Sequence, residues 1–142
     1  MKRFVRCLCL ILVVATMLST TAFAAESRAS NFFMASSVYF WNTSGNKYEI
    51  WFDVTAVGTM QELGVSEIRV QRSTDHENWS TVKTYRKADY AQMTDSNTAS
   101  YANCVPFTAT SGYSYRAVVF LYARNSSGTG NMIETTTVLD LR

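Results

Sequence analysis

The groups able to do covalent or metal chemistry are few and scattered. The one histidine, His76, sits beside Asp75 in "STDHEN" (73–78). A Ser-His-Asp triad needs its acid to orient the base from across a pocket, and neighbours on one turn do not meet that requirement. Both side chains are therefore expected to face water. Glu49 and Asp53 share a strand face in "KYEIWFDVTAV" (47–57). Four residues at about 3.3 Å each set their backbones roughly 13 Å apart, wider than the about 5–9.5 Å of glycosidase carboxyl pairs. Asp75, Glu77 and Asn78 are oxygen-bearing but lack the fixed loop spacing of a calcium site. A single His and a single late Cys cannot supply a common zinc set, and no Gly-rich phosphate loop is present. The expectation is a chain with no catalytic constellation, no metal and no cofactor.

The chain begins in a pattern that reads as an export signal. Lys2, Arg3 and Arg6 precede the apolar "LCLILVVATML" (8–18), and Ala22-Phe23-Ala24 forms a small-x-small cleavage site. An apolar run of about 11 residues is too short for the about 20 that a bilayer span requires. Cleavage after residue 24 predicts a secreted, extracellular chain of one domain, with no membrane span left. It takes away three of the 13 Lys and Arg, leaving ten against 11 Asp and Glu. That net charge of −1 argues against a nucleic-acid partner held by a basic field. Cys7 and Cys9 leave with the signal, so Cys104 has no intrachain partner. It is expected as a buried small hydrophobe. An exposed, activated Cys104 is the only route to a thiol-dependent enzyme.

Any functional surface must then be positioned by strands. After a leader over 25–35, apolar residues alternate with polar ones in short runs broken by turns. These runs are "SVYFW" (37–41), "KYEIWFDVTAV" (47–57), "SEIRVQR" (66–72), "WSTVKTY" (79–85), "SYANCVPF" (100–107), "YSYRAVVFLYAR" (113–124) and "MIETTTVLDL" (132–141). In the second run Tyr48, Ile50, Phe52, Val54 and Ala56 share the inward face. The segments 57–67 and 86–99 show no period and stay unassigned. About seven strands with turns every ten residues or so predict an all-β, antiparallel sandwich over 36–142.

Two stretches carry a resemblance. "SEIRVQRSTDHENWSTVKTY" resembles the central hairpin of fibronectin type III and immunoglobulin-like sandwiches, and "FTATSGYSYRAVVFLYARNSSGTG" is similar to their sixth strand. The resemblance implies a corner tyrosine, with Tyr113 and Tyr115 as candidates. The spacing from Tyr to Ala123 is two residues longer than the common pattern, and the Cys pair of true immunoglobulin domains is absent. "RSTDHENW" resembles the Asp-box turn of sialidases without its central Gly and is read as a hairpin. The overall layout resembles small secreted proteins of Gram-positive bacteria, which implies export.

Such sandwiches serve unrelated functions, so the likeness implies a fold and no activity. What remains is surface. Tyr39, Trp41, Trp51 and Tyr122 are expected outward, and strand 113–124 is apolar on both faces, so one face needs another cover. The expected function is a non-catalytic binding module for an extracellular protein or glycan, met by these aromatics or by the turns. The alternative is an assembly subunit that pairs through an edge strand.

Overall fold

A computed structural model describes residues 31–142, and the expected signal at 1–24 lies outside them. The chain is all-β, in two antiparallel sheets. The first holds β1 (Phe33–Ser44), β2 (Lys47–Met60) and β6 (Thr98–Thr108), in the order β1-β2-β6. The second holds β3 (Glu62–Ser73), β4 (Ser80–Arg86), β7 (Ser114–Asn125) and β8 (Gly128–Thr135), in the order β4-β3-β7-β8. Short β5 (Thr94–Asp95) pairs with β3, and β9 (Leu139–Asp140) pairs with β7.

Alternation decides what is buried. Along β2, Tyr48, Ile50, Phe52, Val54 and Ala56 are buried, while the residues between them are half-buried or exposed. Along β7 the buried set is Tyr115, Ala117, Val119, Leu121 and Ala123. Both sets belong to one core cluster, joined by Ile68 and Val70 of β3 and Val105 and Phe107 of β6. Each large aliphatic or aromatic side chain fully withdrawn from water contributes about 1.5–3 kcal/mol. Two polar links cross between the sheets: the Tyr85 hydroxyl donates to the Pro106 carbonyl, and the Ser36 hydroxyl donates to Glu134.

Several boundaries differ from the sequence reading. β1 starts at Phe33, inside the stretch read as a leader, because Phe33 is buried and starts the pairing with β2. The unassigned 57–67 stretch is strand almost throughout, with only Gln61 between β2 and β3. A register shift between Val65 and Glu67 hides its period. This bulge at Ser66 lets Leu63 and Val65 face the core on one side of it and Ile68 and Val70 on the other. The unassigned 86–99 stretch holds a single 3-10 turn, Ala91–Met93, and β5; its Met93 is fully buried. The last predicted strand is broken in two, because the Thr136 hydroxyl leaves the edge to accept the Ala117 N–H at 3.0 Å.

Gly64 marks where the 86–99 segment docks. Its φ is +147°, and a Cβ there would lie 2.2 Å from the Met93 carbonyl oxygen and 2.8 Å from the Thr94 Cα. Both obstacles are backbone and cannot rotate away. Gly64→Ala is expected to destabilise the fold by about 3 kcal/mol, combining backbone strain with overpacking. Chemical denaturation checks this, and a midpoint equal to that of the parent contradicts the close approach.

Candidate functional site

The outer face of the β1-β2-β6 sheet gathers three of the predicted surface aromatics. Register sets Tyr39 opposite Trp51 and Trp51 opposite Cys104; in the next row Trp41 lies opposite Glu49, and Glu49 opposite Pro106. Directly paired residues share a face, so these rows form one platform. Tyr39 is 41% exposed and Trp41 58%. Trp51 is half-buried, and its Nε1 donates to Glu49 Oε2 at 2.9 Å, fixing the edge of the indole. Beside the aromatic pair, Ala35, Ser36, Ser37, Asp53 and Thr55 line a hollow of about 220 Å³. Cys104 is half-buried in the platform rather than in the core. Burial, then the neighbouring Glu49 carboxylate, pushes its thiol up from the ordinary range. A protonated thiol is a poor nucleophile.

Tyr122, the fourth predicted aromatic, is on the outer face of the other sheet, where cations cover the rings. The Lys87 ammonium lies 3.8 Å from the Tyr122 ring centroid, Arg69 4.6 Å from that of Phe120, and Arg116 4.3 Å from that of Trp79. Such contacts contribute about 0.5–1 kcal/mol each at exposed positions. Arg116 donates to Gln71 at 2.8 Å, and the other cations are held by acids: Glu62 pairs with Lys87 at 2.9 Å and Arg124 at 3.5 Å, and Glu67 pairs with Arg69 and with Arg86. This layer is the cover that the outer face of β7 requires. The 86–99 segment packs elsewhere, against Gly64.

One end of the same face is closed by the 74–79 turn. His76 is exposed, as read, and also places its Nε2 2.6 Å from Ser114 Oγ and 3.6 Å from Asp140 Oδ2. Sequence spacing held no sign of this, because β3, β7 and β9 bring the three together across register. The geometry differs from a catalytic triad in two ways. Ser114 is fully buried. Its hydroxyl also donates to Asp140 Oδ1 at 3.1 Å, so it accepts from His76 Nε2–H, and that nitrogen is no base toward it. The acid meets the same nitrogen as the serine, where a triad has it orient the opposite one.

The turn itself is stitched internally. Ser73 Oγ accepts the His76 N–H at 2.9 Å, which supports His76 at its left-handed φ of +64°. Asp75 Oδ1 accepts from Glu77 N at 2.9 Å and from Asn78 N at 2.8 Å, and Oδ2 from Asn78 Nδ2 at 2.7 Å. These bonds use the oxygens that a calcium ion would need. No group of three His, Cys, Asp or Glu side chains converges among the described residues. Trp79 stacks on His76 with an interplanar angle of 11°. Of the two candidate corner tyrosines, Tyr115 bonds to upstream backbone: its hydroxyl accepts from Thr110 N at 3.0 Å and donates to Thr110 O at 3.2 Å. Tyr113 instead packs edge-on against Tyr115 and lies under Arg72.

Asn78 and Ser73 hold the Asp75 carboxyl well below the usual range, and the Arg142 guanidinium does the same for Asp140. A depressed native value stabilises fully above the unfolded aspartate value, near 3.8, and is lost as pH falls below it. The thermal midpoint is thus expected to hold above about pH 4 and decline under it. The Asp75→Asn/Asp140→Asn double variant should show a shallower acid limb by calorimetry. An unchanged slope would remove both carboxylates from the account.

The chain matches no protein-family model and no curated protein. It is similar to three solved structures. The Northeast Structural Genomics Consortium target SoR45 has a TM-score of 0.49 at 10% identity, covering 79% of this chain and 88% of that one. A candidate late embryogenesis abundant protein has 0.47 at 11%, covering 93% and 88%. The sporulation control protein Spo0M from Bacillus subtilis has 0.40 at 11%, covering 72% of this chain and 49% of that one.

Proposed function

We propose that this is a secreted, non-catalytic binding module that meets an extracellular glycan or protein through the outer face of its β1-β2-β6 sheet. The observation that carries the reading is an asymmetry between the two outer faces. On the β4-β3-β7-β8 sheet the rings of Phe120 and Tyr122 lie under cations. On the other sheet Tyr39 and Trp41 stay open to solvent. Rigid rings with a polar edge suit sugar faces and protein partners alike. The finer fold reading is an immunoglobulin or fibronectin III-like sandwich. Its support is the order β1-β2-β6 facing β4-β3-β7-β8, together with the Tyr115 hydroxyl folded back on Thr110. A glycan array and a pull-down from secreted proteins and cell walls test the binding reading. Trp41→Ala is expected to weaken the captured interaction at least about tenfold, as for an interface anchor, and Tyr122→Ala to leave it within about twofold. Equal effects of the two substitutions would refute the assignment of the face.

A second reading has its own observation. β1 is a 12-residue edge strand, "FMASSVYFWNTS", with no charge and no proline to deter pairing. If β1 adds to the sheet of a second copy, light scattering during size-exclusion chromatography returns a dimer or larger species that rises with concentration. A monomer at all concentrations removes the assembly subunit and leaves the binding module.

A further inference from the structure

At one end of the domain the edges of β4 and β6 part and leave a cleft of about 390 Å³, within the about 300–1,000 Å³ range of small-molecule sites. Phe107 and Tyr115 provide aromatic wall, Thr108 and Thr110 line one side, and two cations, Arg72 and Lys83, line another. Both cations stand on the inward side of their strands: Arg72 pairs across register with buried Tyr115, and Lys83 with buried Val70. Arg72 is half-buried there, where charge is costly unless something compensates it, while Lys83 stays exposed at the edge.

Neither cation is compensated by an acid. Arg69, Arg86, Lys87, Arg124 and Arg142 all take part in ion pairs, whereas Arg72, Lys83, Arg116 and Lys47 take part in none among the described residues, and of these four Arg72 and Lys83 line the cleft. Each rests instead on a ring, Arg72 4.5 Å from the Tyr113 centroid and Lys83 4.7 Å from that of Tyr85. A ring aims a cation without neutralising it. Inward charge on an edge strand also deters sheet-to-sheet pairing. That role accounts for Lys83 on edge strand β4 and leaves Arg72 unexplained, because β3 lies between β4 and β7.

We propose that this cleft is a binding site for a small organic acid, a carboxylate or phosphate carried on a flat apolar body. Arg72 would grip the oxyanion through its planar fork and Lys83 as a point charge, with the apolar body against Phe107 and Tyr115. The site lies on the inner side of the first sheet and meets the platform only at its edge, at Pro106.

Amide-resolved NMR titration of the protein with phenyl phosphate, with benzoate and with neutral benzyl alcohol tests it, and the first two distinguish phosphate from carboxylate. Saturable shifts confined to residues around Arg72, Lys83 and Thr108–Thr110 are expected with at least one acid, weakening as NaCl is added. Arg72→Gln and Lys83→Met should each raise Kd at least tenfold, and Trp41→Ala should leave it unchanged. Lys83 is exposed on an edge, so its variant keeps the test sound if Arg72→Gln impairs folding. Equal binding of benzyl alcohol, an unaltered Kd in Lys83→Met, or no saturation by about 20 mM acid would overturn the proposal.

Discussion

β7 has no wet face. Its inward residues, Tyr115 to Ala123, join the core, and its outward residues include Val118, Phe120 and Tyr122. A strand of this kind normally lies between two layers of protein, and here the second layer is made of side chains. The methylene stems of Lys and Arg cover apolar surface while their charged ends reach Glu62 and Glu67. Much else follows from that need. The 74–79 turn folds over the start of β7 and puts His76 on Ser114, and Trp79 under Arg116 extends the cover. The outer face of the first sheet has no such cover over Tyr39 and Trp41, which stay open.

The domain has a single free thiol among its described residues, so its cohesion is non-covalent. Tyr85 illustrates how polar atoms enter such a core without penalty. Its ring is fully buried, its hydroxyl is satisfied by the Pro106 carbonyl, and burial raises its phenol well above the ordinary value. Tyr115, at the start of β7, repeats the arrangement with the backbone of the corner at Thr110. In both, an apolar body contributes to the core and a polar tip finds backbone, so no buried donor is left open.

Much of the fold was legible because one-sided burial writes a two-residue period into the chain, clearest at Tyr48, Ile50, Phe52 and Val54. It was not legible where that period is interrupted. The bulge at Ser66 changes parity between Val65 and Ile68, so the 57–67 stretch stayed unassigned where strands continue. Gly64 is there because the 91–94 backbone passes against it, a contact that depends on tertiary structure. Met93 was invisible for the same reason: a lone apolar residue in a polar segment has no period. Outward placement of Tyr39, Trp41 and Trp51 followed from parity alone. Their grouping, and the separation of Tyr122, required strand order. The meeting of His76, Ser114 and Asp140 depended on register across three strands and left no local trace.

The outer face of the second sheet carries Arg69, Arg86, Lys87, Arg116 and Arg124 against Glu62 and Glu67, whereas that of the first carries Lys47 against Glu49 and Asp53. Asp140, opposite Ser114, and Arg142 add a further ion pair to the second sheet, so its cations are matched in part by acids and these pairs hold the cover over β7. Raising ionic strength screens these partly exposed pairs beyond about one Debye length, so the electrostatic part of that cover weakens as salt rises.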